Sequence, residues 1–94
     1  MSYAVSFSPE ADEDFDRIAA KDPLLASHVL DEIDRLAEDP QGLSLPPSLP
    51  HLLYPRYECW GRNDDRSHRI IILFRYSARP HEIEIVAIGY VEYA

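Results

Sequence analysis

The sequence predicts a two-layer α+β fold in the element order β-α-α-β-β-β, and three observations predict it. Residues 9–39 carry apolar side chains at helical spacing in two successive stretches, residues 54–91 carry three stretches rich in β-formers, and residues 3–7 alternate ahead of both. Paired helices must bury their apolar stripes, and a sheet is the other element available. The expected architecture is therefore an N-terminal strand and an α-hairpin packed on one face of a small antiparallel sheet. A chain of 94 residues has room for one core, so a single domain spanning 1–94 is expected.

Each element has a local reason. Tyr3–Phe7 alternates and reads as a short strand. Ser8-Pro9-Glu10 opens a helix, with Ser8 as cap, Pro9 at the first helical position and acids in the first turn. Ala11, Phe15, Ile18 and Ala19 form its stripe, and it should end near Lys21. Asp22-Pro23 repeats the start signal, and Leu25, Val29, Ile33 and Leu36, widened by Leu30 and Ala37, form the second stripe. Asp39-Pro40 stops that helix, because the residue before a proline is pushed out of helical geometry. Residues 40–55 interleave prolines with leucines and read as a stiff extended loop tacked to the core. Tyr54–Trp60 is a plausible strand, Gly61–Ser67 a polar turn, and Arg69–Tyr76 and Glu82–Val91 are strong strands separated by Ser77-Ala78-Arg79-Pro80. The run Ile70–Phe74 has no polar face, which argues for a central strand buried on both sides.

Charge is unevenly distributed. The net charge is −8, and all of it falls in residues 1–40, whereas residues 41–94 balance six acids with six arginines. An acidic helical layer repels phosphate backbones, so nucleic acid is admitted only if the arginines gather on one face. Arginine is also the cation suited to planar carboxylate recognition. No stretch approaches the roughly 20 apolar residues needed to span a bilayer. Met1–Phe7 lacks a basic region followed by an apolar run, so no leader and no membrane association are expected. The single Cys59 cannot form an internal disulfide, which fits a reducing cytoplasm.

Taken together, these segments resemble the RelE/ParE toxin superfamily of type II toxin–antitoxin systems, the plasmid stabilisation family. Tyr3-Ala-Val-Ser-Phe-Ser-Pro-Glu-Ala11 with Asp14 looks like that family's first strand and helix start, and Asp39-Pro40 sits where its second helix ends. His68-Arg69-Ile-Ile-Ile-Leu-Phe74 looks like its central strand and Ile85-Val-Ala-Ile-Gly89 like its last. The loop 40–55 is long for the family, and a pI near 4.7 is low for one whose active members tend to be basic. The resemblance implies a bacterial protein neutralised by a cognate antitoxin. RelE-like members cut mRNA on the ribosome as mRNA interferases, and ParE-like members inhibit DNA gyrase without catalysis.

The resemblance also nominates residues. Metal-independent RNA cleavage needs a base, an acid and cations around the phosphate. Arg69 occupies the family's phosphate-stabilising position. Glu58 is the candidate base beside it, with a cross-strand ion pair as its plainer role. After Gly89 the family's nucleases carry a basic residue or His followed by Tyr; here Tyr90-Val91-Glu92-Tyr93 stand instead, leaving Tyr90 and Tyr93 as candidates and the catalytic set incomplete. The basic residues Arg56, Arg62, Arg69 and Arg75 with Trp60 form the expected partner or nucleic-acid surface. No cofactor and no metal site are expected: the four histidines share no ligand spacing, Cys59 stands alone, and surface positions are the plain expectation for the histidines.

Overall fold

The computed structural model describes residues 2–45, 54–63 and 66–93, the side chains of residues 62, 63 and 66 apart. Its elements are β1 (Ala4–Phe7), α1 (Pro9–Lys21), α2 (Pro23–Glu38), a single-turn α3 (Pro40–Leu43), β2 (Arg56–Asn63), β3 (Arg66–Tyr76) and β4 (Glu82–Tyr93). Four strands form one mixed sheet in the order β1-β4-β3-β2. The last three strands make the expected antiparallel meander, and β1 joins the β4 edge in parallel.

The helix starts follow their caps. Ser8 accepts the Ala11 N–H at 3.1 Å, Asp22 accepts that of Leu25 at 3.1 Å, and a proline follows each cap. Asp39 stops α2 and caps again, accepting the Gly42 N–H at 2.9 Å. The short α3 therefore stands at the head of the segment expected to be extended; residues 46–53 of that segment lie outside the described residues.

One face of the sheet packs against the helices. Ile70, Ile72 and Phe74 of β3 and Ile83 and Ile85 of β4 are fully buried there, with Val29 and Leu36 of α2. Burial of each such side chain stabilises the fold by roughly 1.5–3 kcal/mol. The alternate residues Ile71 and Leu73 are only half-buried, so β3 is central and, among the described residues, its helix-side positions are buried more deeply than those of its other face. Leu30, expected to widen the α2 stripe, is 44% exposed.

A bulge at Leu73/Phe74 sets β4 in phase. Leu73 pairs with Ala87 and Phe74 with Ile85, leaving Val86 extra, so that Ile85 and Ile88 both face the helices despite being three residues apart. Two polar side chains attend to the disturbed edge. Ser8 Oγ donates to the Val86 carbonyl at 2.8 Å, and Asp14 Oδ2 accepts the Ile88 N–H at 2.9 Å. The acids of α1 and α2 are otherwise mostly exposed. Those drawn inward, Asp14, Asp22 and Glu32, each accept a hydrogen bond.

Gly61 is a strand residue of β2, with no left-handed backbone. The strands β2 and β3 continue through most of the expected polar turn. The one described non-glycine with positive φ is His81 (φ 55°), at the turn into β4, where its ring meets Tyr3. Among the described residues no helix is long and apolar enough to cross a membrane.

Candidate functional site

Strand alternation determines which residues share the face of the sheet away from the helices. Trp60 lies opposite Arg69 and Arg69 opposite Val91; Glu58 opposite Ile71 and Ile71 opposite Gly89; Arg56 opposite Leu73 and Leu73 opposite Ala87. Ser67 lies opposite Tyr93, and Arg75 opposite Glu84. These rows alternate with the buried Ile70, Ile72 and Phe74, so they point away from the helices.

The charges on this face are paired. Arg69 Nη2 donates to Glu58 Oε1, Arg56 Nε approaches the same oxygen at 3.6 Å, and Arg75 Nε donates to Glu84 Oε1 at 2.5 Å. The hydrogen bond and charge of Glu58, helped by the Tyr93 hydroxyl, raise the Arg69 pKa above its ordinary value. Arg69, a cation at any ordinary pH, thus has one arm of its guanidinium engaged by a carboxylate. The Arg75–Glu84 pair is exposed and adds little stability, whereas the two contacts on Glu58 are part-buried and fix side-chain geometry more firmly. Trp60 and Tyr93, 64% and 42% exposed, stack with ring centroids 5.6 Å apart at a 36° tilt beside Arg69. Arg62 lies in β2 opposite Ser67, its side chain outside the described residues.

Of the residues nominated as catalytic, Arg69, Glu58 and Tyr93 meet on this face. Tyr90 does not. It lies on the helix side, half-buried, opposite Ile70, with its ring 5.9 Å from that of His68. There it helps line a cavity of about 340 Å³ with Asp14, Arg17, Lys21 and Gly89. The parity of the strand separates the two tyrosines, which are three residues apart. His68 was expected at the surface but is 3% exposed, because its position in β3 shares the parity of Ile70.

A second cluster went unseen in the sequence. His28 and Glu32 of α2 meet Cys59 of β2, and one potential donor atom of each lies within 4.8 Å of the other two. Tyr57 donates to Glu32 Oε2 at 2.5 Å, and Glu32 Oε1 lies 3.8 Å from His28 Nε2. Burial first, then the charge of Glu32, pushes the Cys59 thiol up to about 12. The readable signal was the His28/Glu32 spacing of four, which puts both on one helix face. What spacing does not reveal is that β2 lays Cys59 against that face.

Among the described residues the fold and its second sheet face define a class: a small α+β domain with one helical layer and a strand surface, on the side away from the helices, that mixes aromatics with arginine–glutamate pairs. No model of a protein family matches the chain, and no curated protein matches it in sequence. Among solved structures it is similar to a chain of the toxin–antitoxin complex RelBE2 from Mycobacterium tuberculosis. The TM-score is 0.69 at 15% identity, covering 97% of this chain and 100% of that one. At that identity the likeness is one of fold, and it is the RelE-like fold that the sequence resemblance implies.

Proposed function

We propose that the chain is the toxin-like half of a type II toxin–antitoxin pair, held by a cognate antitoxin on the open face of its sheet and acting in the cytoplasm. The observation that carries the reading is the near-complete match in fold to a chain of a toxin–antitoxin complex. The composition of the open face supports it. Exposed aromatics and arginine around an apolar strip are what protein interfaces favour. An anionic group of a partner approaching Arg69 would compete with Glu58 for its guanidinium.

A second reading rests on the meeting of Glu58, Arg69 and Tyr93. A carboxylate base, a guanidinium and a phenol acid are the parts that ribosome-dependent mRNA cleavage requires. The incomplete basic set argues for the first reading. A ParE-like inhibitor of DNA gyrase needs none of these groups.

The test is induced expression with and without the product of the neighbouring reading frame. Growth arrest relieved by the neighbour supports the pair. Cleaved mRNA in arrested cells, lost with Arg69→Ala while antitoxin binding persists, moves the assignment to the endoribonuclease. Arrest without cleavage, relieved by excess gyrase, moves it to the inhibitor. Absence of arrest, together with no binding of the neighbour, removes the toxin reading.

A further inference from the structure

We infer that His28, Glu32 and Cys59 form a binding site for a zinc-class divalent transition metal, clipping α2 to β2 with one coordination position left open. The inference is independent of the toxin reading.

Three observations carry it. The first is proximity: one donor atom from each residue falls within 4.8 Å of the other two, and His28 Nε2 to Glu32 Oε1 is 3.8 Å. Zinc bond lengths require donor atoms roughly 3.3–3.6 Å apart around a tetrahedral ion, so small side-chain rotations close the set.

The second is an orphan. Among the described residues, His28 Nε2 is the buried side-chain nitrogen or oxygen that has no hydrogen-bond partner. Buried polar atoms in folded proteins are almost always satisfied. This one lies 3.8 Å from the Glu32 carboxylate, in a cluster whose third member is the Cys59 thiol, and both are metal donors.

The third is the construction of the surroundings. The Tyr57 hydroxyl holds Glu32 through Oε2, leaving Oε1 on the His28 side. Orientation of a ligating carboxylate by a hydrogen bond to its other oxygen is how proteins preset metal sites. Gly61 supplies the space: a Cβ there would lie 2.9 Å from His28 Cδ2 and 3.0 Å from Nε2, so a side chain at this strand position would push the imidazole from its place against β2.

The donor set chooses the metal class. Thiolate, imidazole and carboxylate suit zinc and its neighbours and do not suit magnesium or calcium, which prefer all-oxygen sites. Three protein ligands leave a fourth position for water or for a group from a partner. Binding forms the Sγ–metal bond and breaks the Sγ–H bond, the proton passing to solvent.

The experiment uses the full chain freed of metal with a chelator, then titrated with cobalt(II) or zinc(II) chloride. The chain has one cysteine, so a thiolate-to-cobalt charge-transfer band reports Cys59 alone. We expect one equivalent of cobalt to produce that band with tetrahedral visible absorption, and zinc to displace it. Cys59→Ser should abolish the band, and His28→Gln and Glu32→Gln should each weaken binding at least tenfold. Magnesium should not compete. X-ray absorption of zinc-loaded wild-type protein keeps the test independent of whether a variant folds, and should show one sulfur neighbour with nitrogen and oxygen completing the shell. No band, no sulfur neighbour, or a band unaffected by either α2 substitution in folded protein overturns the site. The last result would mean that Cys59 thiols bridge two molecules instead.

Discussion

The phenolic O–H of Tyr57 on β2 donates to the Glu32 carboxylate on α2 at 2.5 Å, and both residues are nearly shut off from water at 5% and 7% exposure. A buried carboxylate stripped of a donor keeps its desolvation cost. Tyr57→Phe is therefore expected to lower the unfolding free energy by about 1–3 kcal/mol. In a Glu32→Leu background the same change should cost much less. Urea denaturation of the four proteins in the cycle measures this, and equal costs in both backgrounds would deny the coupling.

Ser8 and Asp14 make a second pair of attachments, from the start of α1 to the bulged edge of β4. Ser8 caps the helix and also donates to the Val86 carbonyl, while Asp14 accepts the Ile88 N–H. An ordinary cap is worth about 1 kcal/mol. Ser8→Ala should exceed that because two groups lose their partner. Asp14→Ala should speed hydrogen exchange at the Ile88 amide, readable residue by residue in NMR, ahead of its neighbour Ile85. Unchanged Ile88 exchange would deny the Asp14 contact.

Gly61 and His28 are expected to behave as a unit. Gly61→Ala puts a methyl group against the imidazole ring and should cost about 1–3 kcal/mol, as overpacking does. In His28→Ala the same substitution should be neutral or mildly stabilising, because alanine suits a strand better than glycine. Thermal melts of the cycle check it, and a cost independent of His28 would contradict the packing described.

Alkaline pH should loosen the α2–β2 seam in metal-free protein. Burial, then Glu32, raises the Cys59 thiol to about 12, and the same two causes in the same order raise the Tyr57 phenol above its ordinary range. In the unfolded chain these groups ionise near ~8.5 and ~10. The unfolded state therefore loses protons first, so stability is full below the unfolded values and falls as pH rises through them towards the folded values. Urea midpoints between pH 7 and pH 11 should decline from about pH 8.5 upward, less steeply in Cys59→Ser. A flat midpoint across that range would contradict the burial of both groups.

Much of the fold was legible because its signals are local. Proline after Ser8 and Asp22, and the spacing of Ala11 with Ile18 or Val29 with Ile33, needed no knowledge of the remainder of the chain. Non-local facts were not legible. Nothing in Ala4–Phe7 says that it lies parallel to β4, and nothing in Ile85-Val86-Ala87-Ile88 marks the bulge that turns Ile88 inward. The candidate site divided along the same line. Glu58 and Arg69 were readable as a cross-strand pair, but the faces of Tyr90 and Tyr93 depend on the bulge upstream of both. Gly61 reads as a turn residue by composition and serves as space for His28, a role that only the packing of α2 on β2 reveals. His68 reads as polar and exposed until its parity with Ile70 is known.

Trp60 is the chain's one tryptophan and lies 64% exposed on the open face beside Tyr93 and Arg69, so its fluorescence reports occupation of that face directly. The most direct measurement is its emission spectrum as the purified neighbouring-frame product is added, with binding followed in parallel by calorimetry. The expected result is a saturable complex in which Trp60 emission shifts to the blue, with Tyr93→Ala and Arg69→Ala weakening binding at least tenfold. No complex, or a complex that leaves Trp60 emission unchanged, would contradict a partner held on the open sheet.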